Sequence, residues 1–228
     1  MNHAKQHIAT LLGLLTIIVI LVTVIDVTCF DKSFYNSQFT KLDVASEMGV
    51  SSTDLKTITD VLLDYTQGKR SDMIVKVNVS GSVQEVFNTR EKAHMVDVRA
   101  LYLNAVMFRN IAAVVVIAMS TLFAFLFRKK AIRVLVRGFQ QASVLFGILL
   151  AFILIYSLVD FNAFWIFFHQ IFFRNDLWQL NPNTDLLILM VPEPFFNALV
   201  LRIMIRFIAA FGLVLAGGSL WIRNKRPS

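Results

Sequence analysis

Four stretches of this chain, at about 8 to 28, 104 to 127, 140 to 159 and 197 to 222, are each mostly apolar for roughly twenty residues or more. An α-helix needs about that length to cross the hydrocarbon core of a bilayer, where every backbone polar group must be satisfied within the segment itself. No other feature narrows the fold so far. The composition agrees, with 57% hydrophobic and 16% charged residues, which excludes an ordinary soluble domain. The expected fold is a membrane all-α core of four transmembrane helices with a small extracytoplasmic α+β cap.

The basic residues orient those helices. Nine of them, with no acid among them, lie in three short pieces: Lys5 near the start, "RKKAIRVLVR" between the second and third spans, and "RNKR" at the end. The positive-inside rule puts all three pieces, and hence both termini, in the cytoplasm. The segment 31–103, with nine basic and ten acidic residues, then faces outward, as does 160–196. Once those signals are removed nothing of the +7 net charge remains to form a basic surface, so a nucleic-acid partner is excluded.

The first span is too long for a cleaved leader, and no small-x-small site follows it, so 1–30 is read as a retained helix. Cys29 is the single cysteine, which excludes an internal disulfide. Asp26 stands where a lipobox needs a Leu-like side chain, so Cys29 is not expected to be lipidated, and a small apolar filler is the simpler reading of it.

Residues 31–103 form the expected cap. "SSTDLKTITDVLLDYTQG" has Leu55, Ile58, Val61, Leu62 and Tyr65 at helical spacing, a Ser/Thr start and Gly68 as a stop, which predicts an amphipathic helix of about three turns. "MIVKVNVSGSVQEVF" alternates Val75, Val77 and Val79 with polar residues, turns at "SGS" and resumes with Val83 and Val86, which predicts a β-hairpin. "TREKAHMVDVRALYLNAVMFRN" then runs into the second span without Gly or Pro, as one continuous helix. The remainder, 104–228, supplies three further transmembrane helices with an outward interfacial segment at about 160–196.

Glu91, His94 and Asp97 follow at three-residue steps along one side of that helix, either as a solvated helix end or as a site. "FWIFFHQIFFRNDLW" surrounds His169 with six large aromatics and closes on a seventh, Trp178, too apolar for water and too polar for the bilayer centre. Two independent stretches thus bring a histidine, the side chain that exchanges protons near neutral pH, to the outer interface. Arg109, Arg202 and Arg206, with Asp26 at similar depth, read either as paired and snorkelling charges or as a polar cavity for an anionic or ester-bearing headgroup.

No G-x-S-x-G, H-E-x-x-H or P-loop motif is present, so serine hydrolase, zincin and nucleotide readings have no motif support. A metal held by His94, Asp97, His169, Asp185 or Glu193 is a minority reading. Bases at the level of lipid esters, without a protein nucleophile, fit attack on an acyl ester by a group the substrate carries. No cofactor is then needed. A lipid hydrolase or phosphatase of the outer leaflet and a non-catalytic membrane sensor or assembly factor are the alternatives.

"REKAHMVDV" before the second span and "FHQIFFRNDLWQLNPNTDLLILMVPEPFF" after the third, with the order of four helices and a cap, resemble the bacterial lipoprotein intramolecular transacylase family over nearly the whole chain. The resemblance implies an acyltransferase of the bacterial cell membrane. It would move the sn-2 acyl chain of a diacylglyceryl-cysteine lipoprotein to that cysteine's own α-amino group, giving a lyso-form lipoprotein. Diacylated lipoprotein and membrane lipid are the implied partners. His94 and His169 match the histidines of the family's motifs and are the implied catalytic pair. An α-amino group of pKa near 8 can lose its proton to a neutral imidazole as it attacks. On this reading His94 orients or protonates, Glu91 or Asp97 holds its tautomer, and Asn175, Trp178 or an arginine bonds the oxyanion. Phe168, Phe172 and Phe173 bury acyl chain and exclude water.

Overall fold

A computed structural model describes residues 3–224. Lys225 and Arg226, from the C-terminal basic piece, lie outside the described residues. The elements in order are α1 (His3–Cys29), α2 (Lys32–Lys41), α3 (Val44–Glu47), α4 (Ser52–Thr66), β1 (Lys76–Val79), β2 (Ser82–Glu85), α5 (Thr89–Phe127), a 3₁₀ turn (Arg128–Lys130), α6 (Ala131–Val159), α7 (Phe161–Phe172), α8 (Leu186–Met190) and α9 (Glu193–Asn224). Four of them, α1, α5, α6 and α9, are long and apolar enough to cross a membrane. They contain the four spans expected from sequence. The 39 residues of α5 extend about 58 Å, roughly twice the hydrocarbon thickness, so its first turns lie beyond the apolar run.

The chain divides into two compact bodies. The first comprises the chain up to Thr28, Val106–Val159 and the chain from Leu201 on. Here α1 and α6 approach closely through small residues. A Cβ on Gly138 would come within 2.3 Å of the Ala9 backbone, and one on Gly13 within 2.7 Å of Phe139 Cα. In lipid, where no hydrophobic force drives helices together, such backbone proximity is what lets dispersion hold them. Ile17, Phe139, Ala142, Phe146 and Phe207 pack as one cluster, and Ala9, Leu12, Phe123, Ala131 and Val134 as another. Asp26 accepts from Arg109 Nη1 at 2.6 Å, and Arg206 donates to the Thr28 hydroxyl at 3.2 Å.

The second body comprises Cys29–Ala105 and Asp160–Val200. Its α4 begins with Ser51, whose hydroxyl accepts from Asp54 N–H at 3.0 Å, and gives way to Gly68 at φ +76°. At 15 residues it is about a turn longer than its spacing suggested. Leu55, Ile58, Val61, Leu62 and Tyr65 are all buried, as their spacing requires.

The hairpin forms through a two-residue turn, Ser80 and Gly81, both at positive φ, with Val79 opposite Ser82. Val75, Val77, Val79 and Val86 are buried, but Val83 is 75% exposed, against the expectation that it rejoins the apolar face. The register explains it: Val83 lies opposite Asn78 and so shares its polar face.

Four helices of this body, α2, α3, α7 and α8, were not foreseen. Asp31 caps α2, which buries Phe34, Tyr35 and Phe39 around the fully buried Phe195 of α9, with ring centroids 5.0 to 5.8 Å away. The stretch around His169 is the helix α7, capped by Asp160, whose carboxylate accepts from Ala163 N–H at 2.9 Å.

Candidate active site

The first turns of α5 are fixed by a reciprocal cap. Asn88 Oδ1 accepts from Glu91 N–H at 3.0 Å while Glu91 Oε2 accepts from Asn88 N–H at 2.6 Å. The other oxygen of Glu91 accepts from Leu187 N–H at 2.5 Å, at the start of α8, and the side chain is fully buried. Burial raises the Glu91 pKa, against the opposing pull of those N–H groups. Both carboxylate oxygens therefore serve backbone donors, and not the His94 tautomer as the sequence suggested. Asn88 also donates to Asp185 Oδ1 at 2.7 Å, and Asp185 Oδ2 accepts from Asn181 N–H at 2.7 Å. Burial acts to raise the Asp185 pKa, but these hydrogen bonds outweigh it and leave it lowered. The network ties the segment before α8 to the start of α5, on which His94 stands.

On α7, Phe161, Trp165 and His169 recur every four residues, and His169 is buried while Ile166, Phe167 and Ile171 are exposed. His169 Nδ1 is 2.7 Å from the Trp165 carbonyl oxygen. A carbonyl only accepts, so Nδ1 carries the proton and Nε2 keeps its lone pair.

The two histidine rings lie 6.1 Å apart, inclined at 34°, and both are 7% exposed. Phe173 packs against both, at 5.4 Å from His94 and 5.6 Å from His169. Trp178 stacks on His169 at 4.8 Å and 29°. Burial, then repulsion from His169 when it is protonated and from Arg90, lower the His94 pKa to about 4 against the opposing field of Asp97. Burial likewise lowers that of His169, against the Trp165 hydrogen bond. Both imidazoles are thus neutral at pH 7. His94 Nδ1 is buried with no hydrogen-bond partner among the described residues, which leaves a ring nitrogen for a bound group.

Asn175 Nδ2 donates to Asp97 Oδ2 at 2.8 Å, and Trp178 Nε1 donates to the Asn175 carbonyl at 2.9 Å. The indole has one N–H, so Trp178 as an oxyanion donor does not agree with this geometry. Phe168 stacks on Trp165 at 5.2 Å and meets Phe172 at 4.8 Å with the rings tilted by 49°, forming with Phe196, 4.3 Å from Trp165, a continuous aromatic wall.

Arg109, Arg202 and Arg206 belong to the other body, Arg202 and Arg206 on α9 and Arg109 on α5. Arg109 makes the ion pair with Asp26, one of the two readings left open by sequence. Among the described residues no three His, Cys, Asp or Glu side chains are grouped as a metal site.

Sequence reasoning passed over Trp165, Phe196, Asn88 and Arg90, which donates to the Asp176 carbonyl. Two of these had a signal: Asn88-x-x-Glu91 is a capping pattern, and Trp165 is one helical turn before His169.

Comparison with known proteins identifies the family. No curated protein matches the chain. The family model described as "Lipoprotein intramolecular transacylase Lit" matches residues 10–196. The structure is similar to that of the membrane-integral lipoprotein intramolecular transacylase Lit of Bacillus cereus, with a TM-score of 0.80 and 19% identity over 100% of both chains. Two variants of that protein, with a histidine replaced by arginine or by alanine, give TM-scores of 0.73 and 0.74 at 18% identity, covering 99% and 100% of this chain and 95% and 98% of theirs. At such identity the structures establish a shared fold, while the family model spans most of the sequence. The chain belongs to the lipoprotein intramolecular transacylase family, Lit.

Proposed function

We propose that this transacylase moves the sn-2 acyl chain of a diacylglyceryl-cysteine lipoprotein to the cysteine's α-amino group, with His169 as general base and His94 as its partner. The observation that carries the proposal is the 2.7 Å bond from His169 Nδ1 to the Trp165 carbonyl, which leaves Nε2 as proton acceptor beside a second neutral imidazole. The α-amino nitrogen attacks the ester carbonyl and gives its proton to Nε2. The tetrahedral intermediate then collapses with rupture of the acyl C–O bond, and the proton held on His169 passes to the sn-2 oxygen, directly or relayed through His94. The products are an amide and a free sn-2 hydroxyl, so atoms and charge balance without a covalent enzyme intermediate. Ester becomes the more stable amide, and no ATP is required.

Donor and acceptor belong to one molecule, so the protein's task is to hold them in near-attack geometry and exclude water. Phe168, Phe172 and Phe173, with Trp165 and Phe196, are proposed to receive the acyl chain. Arg109, whose charge Asp26 balances, is assigned to holding α1 to α5. The basic-residue asymmetry supports a site on the extracytoplasmic side, in the outward segments 31–103 and 160–196, with both termini cytoplasmic.

Mass spectrometry of a lipoprotein N-terminus from cells with and without this protein tests the reading. An N-acylated lyso-lipoprotein appearing only with the protein supports it. Release of free fatty acid or phosphate instead would favour the outer-leaflet hydrolase or phosphatase.

A further inference from the structure

We propose that Asp97, Asn175 and Trp178 form a latch that sets the His169 imidazole in place for proton transfer, so that all three are positioning residues. The proposal rests on the reading of His169 as general base. Asn175 lies between α7 and α8, in chain with no regular structure of its own to hold it. It is held instead by three bonds. Its Nδ2 donates to Asp97 Oδ2 at 2.8 Å, its Oδ1 accepts from Leu177 N–H at 3.2 Å, and its carbonyl accepts from Trp178 Nε1 at 2.9 Å. The last bond orients the indole that stacks on His169.

A second anchor lies one residue away, where Arg90 donates to the Asp176 carbonyl and lies 3.7 Å from its carboxylate. Arg90, His94 and Asp97 are at i, i+4 and i+7 on α5, so the strap is fastened on either side of His94. The same strap thereby fixes the spacing of the two imidazoles. The bond from Nδ1 to the Trp165 carbonyl holds the His169 ring at one atom and leaves it free to tilt about that contact. The ring of Trp165, at 4.8 Å and 77°, with Phe168 and Phe173 each at 5.6 Å, bounds other sides, and the stacked Trp178, as near as Trp165, covers a face of the imidazole. Proton transfer requires the base within about 3 Å of the amine, and a displacement of about 1 Å can cost about 10²-fold.

The test uses purified full-length protein in detergent micelles and a synthetic diacylglyceryl lipopeptide. Asn175→Asp sets a carboxylate against Asp97 and is expected to lower kcat about 10- to 100-fold with KM within about 2-fold. Adding Asp97→Asn restores the amide-to-carboxylate bond with its direction reversed, and kcat should return to within about 3-fold of the parent. Asn175→Asp at the parent rate, or a folded double variant no better than the single, overturns the latch. Should Asn175→Asp fail to fold, Trp178→Phe, which keeps a stacked ring, must retain far more activity than Trp178→Ala, and equal losses overturn the proposal. His169→Ala separates the two ideas. Activity at the parent rate in His169→Ala would sink the base assignment itself, whereas an inactive His169→Ala beside a fully active Asn175→Asp would sink only the latch.

Discussion

His169 and Trp165 are joined within one turn of α7 by a 2.7 Å bond from the imidazole Nδ1 to the main-chain carbonyl, so a backbone atom that side-chain mutation leaves in place chooses the tautomer. The consequence for catalysis is a lone pair on Nε2, with burial lowering the pKa of the ring so that it is neutral at pH 7.

His94 gives the protein a pH-dependent stability whose sign follows from its lowered pKa. Unfolded, the ring titrates near 6.5; folded, at about 4, facing the titratable His169 and the charges of Arg90 and Asp97. Between those values the unfolded state binds the extra proton. The stability is therefore present above pH 6.5 and lost as pH falls toward 4, by on the order of 3 kcal/mol. Thermal unfolding midpoints in micelles should fall more steeply from pH 7 to 4.5 for the parent than for His94→Gln. Parallel curves would contradict this origin.

The Arg109–Asp26 pair is partly buried in the first body, its side chains 18% and 24% exposed. Removing one partner leaves an uncompensated, partly desolvated charge, which costs about 1 to 3 kcal/mol, while replacing both with apolar residues costs less. Asp26→Leu should thus lower the unfolding midpoint more than Asp26→Leu combined with Arg109→Leu. The reverse order would show that the two charges do not depend on each other.

Orientation can be read with impermeant thiol reagents on intact cells carrying Cys29→Ala as background. Ser82→Cys in the hairpin should be labelled and Ala131→Cys at the start of α6 should not. Labelling of Ala131→Cys alone would reverse the assignment drawn from the basic residues.

Because the substrate's own amine is the proposed nucleophile, Cys29→Ala should keep the parent rate and activity should survive EDTA. Loss with EDTA and recovery with Zn²⁺ would move the chemistry to a metal.

Elements set by local pattern were legible in the sequence: four apolar runs, the Val alternation of β1, the spacing of α4 and the unbroken passage into α5. The residues between α7 and α8 were not. Their geometry comes from contacts between distant stretches, such as Asn175 with Asp97 and Asn88 with Asp185, and no periodicity encodes those. For the same reason His94 and His169 could be assigned to one interface by topology, but their 6.1 Å spacing could not. Glu91 was picked out as a charge beside His94. Its part in the cap depended on an N–H from Leu187, far along the chain.

The central claim is that the neutral His169 imidazole takes the amine proton during N-acylation. It is tested by following conversion of a diacylglyceryl lipopeptide to its N-acyl lyso form by mass spectrometry, with purified parent and His169→Ala proteins shown to be folded. The account predicts a rate lower by about 10²- to 10⁴-fold in the variant, with substrate still bound. Conversion by folded His169→Ala at the parent rate would contradict it.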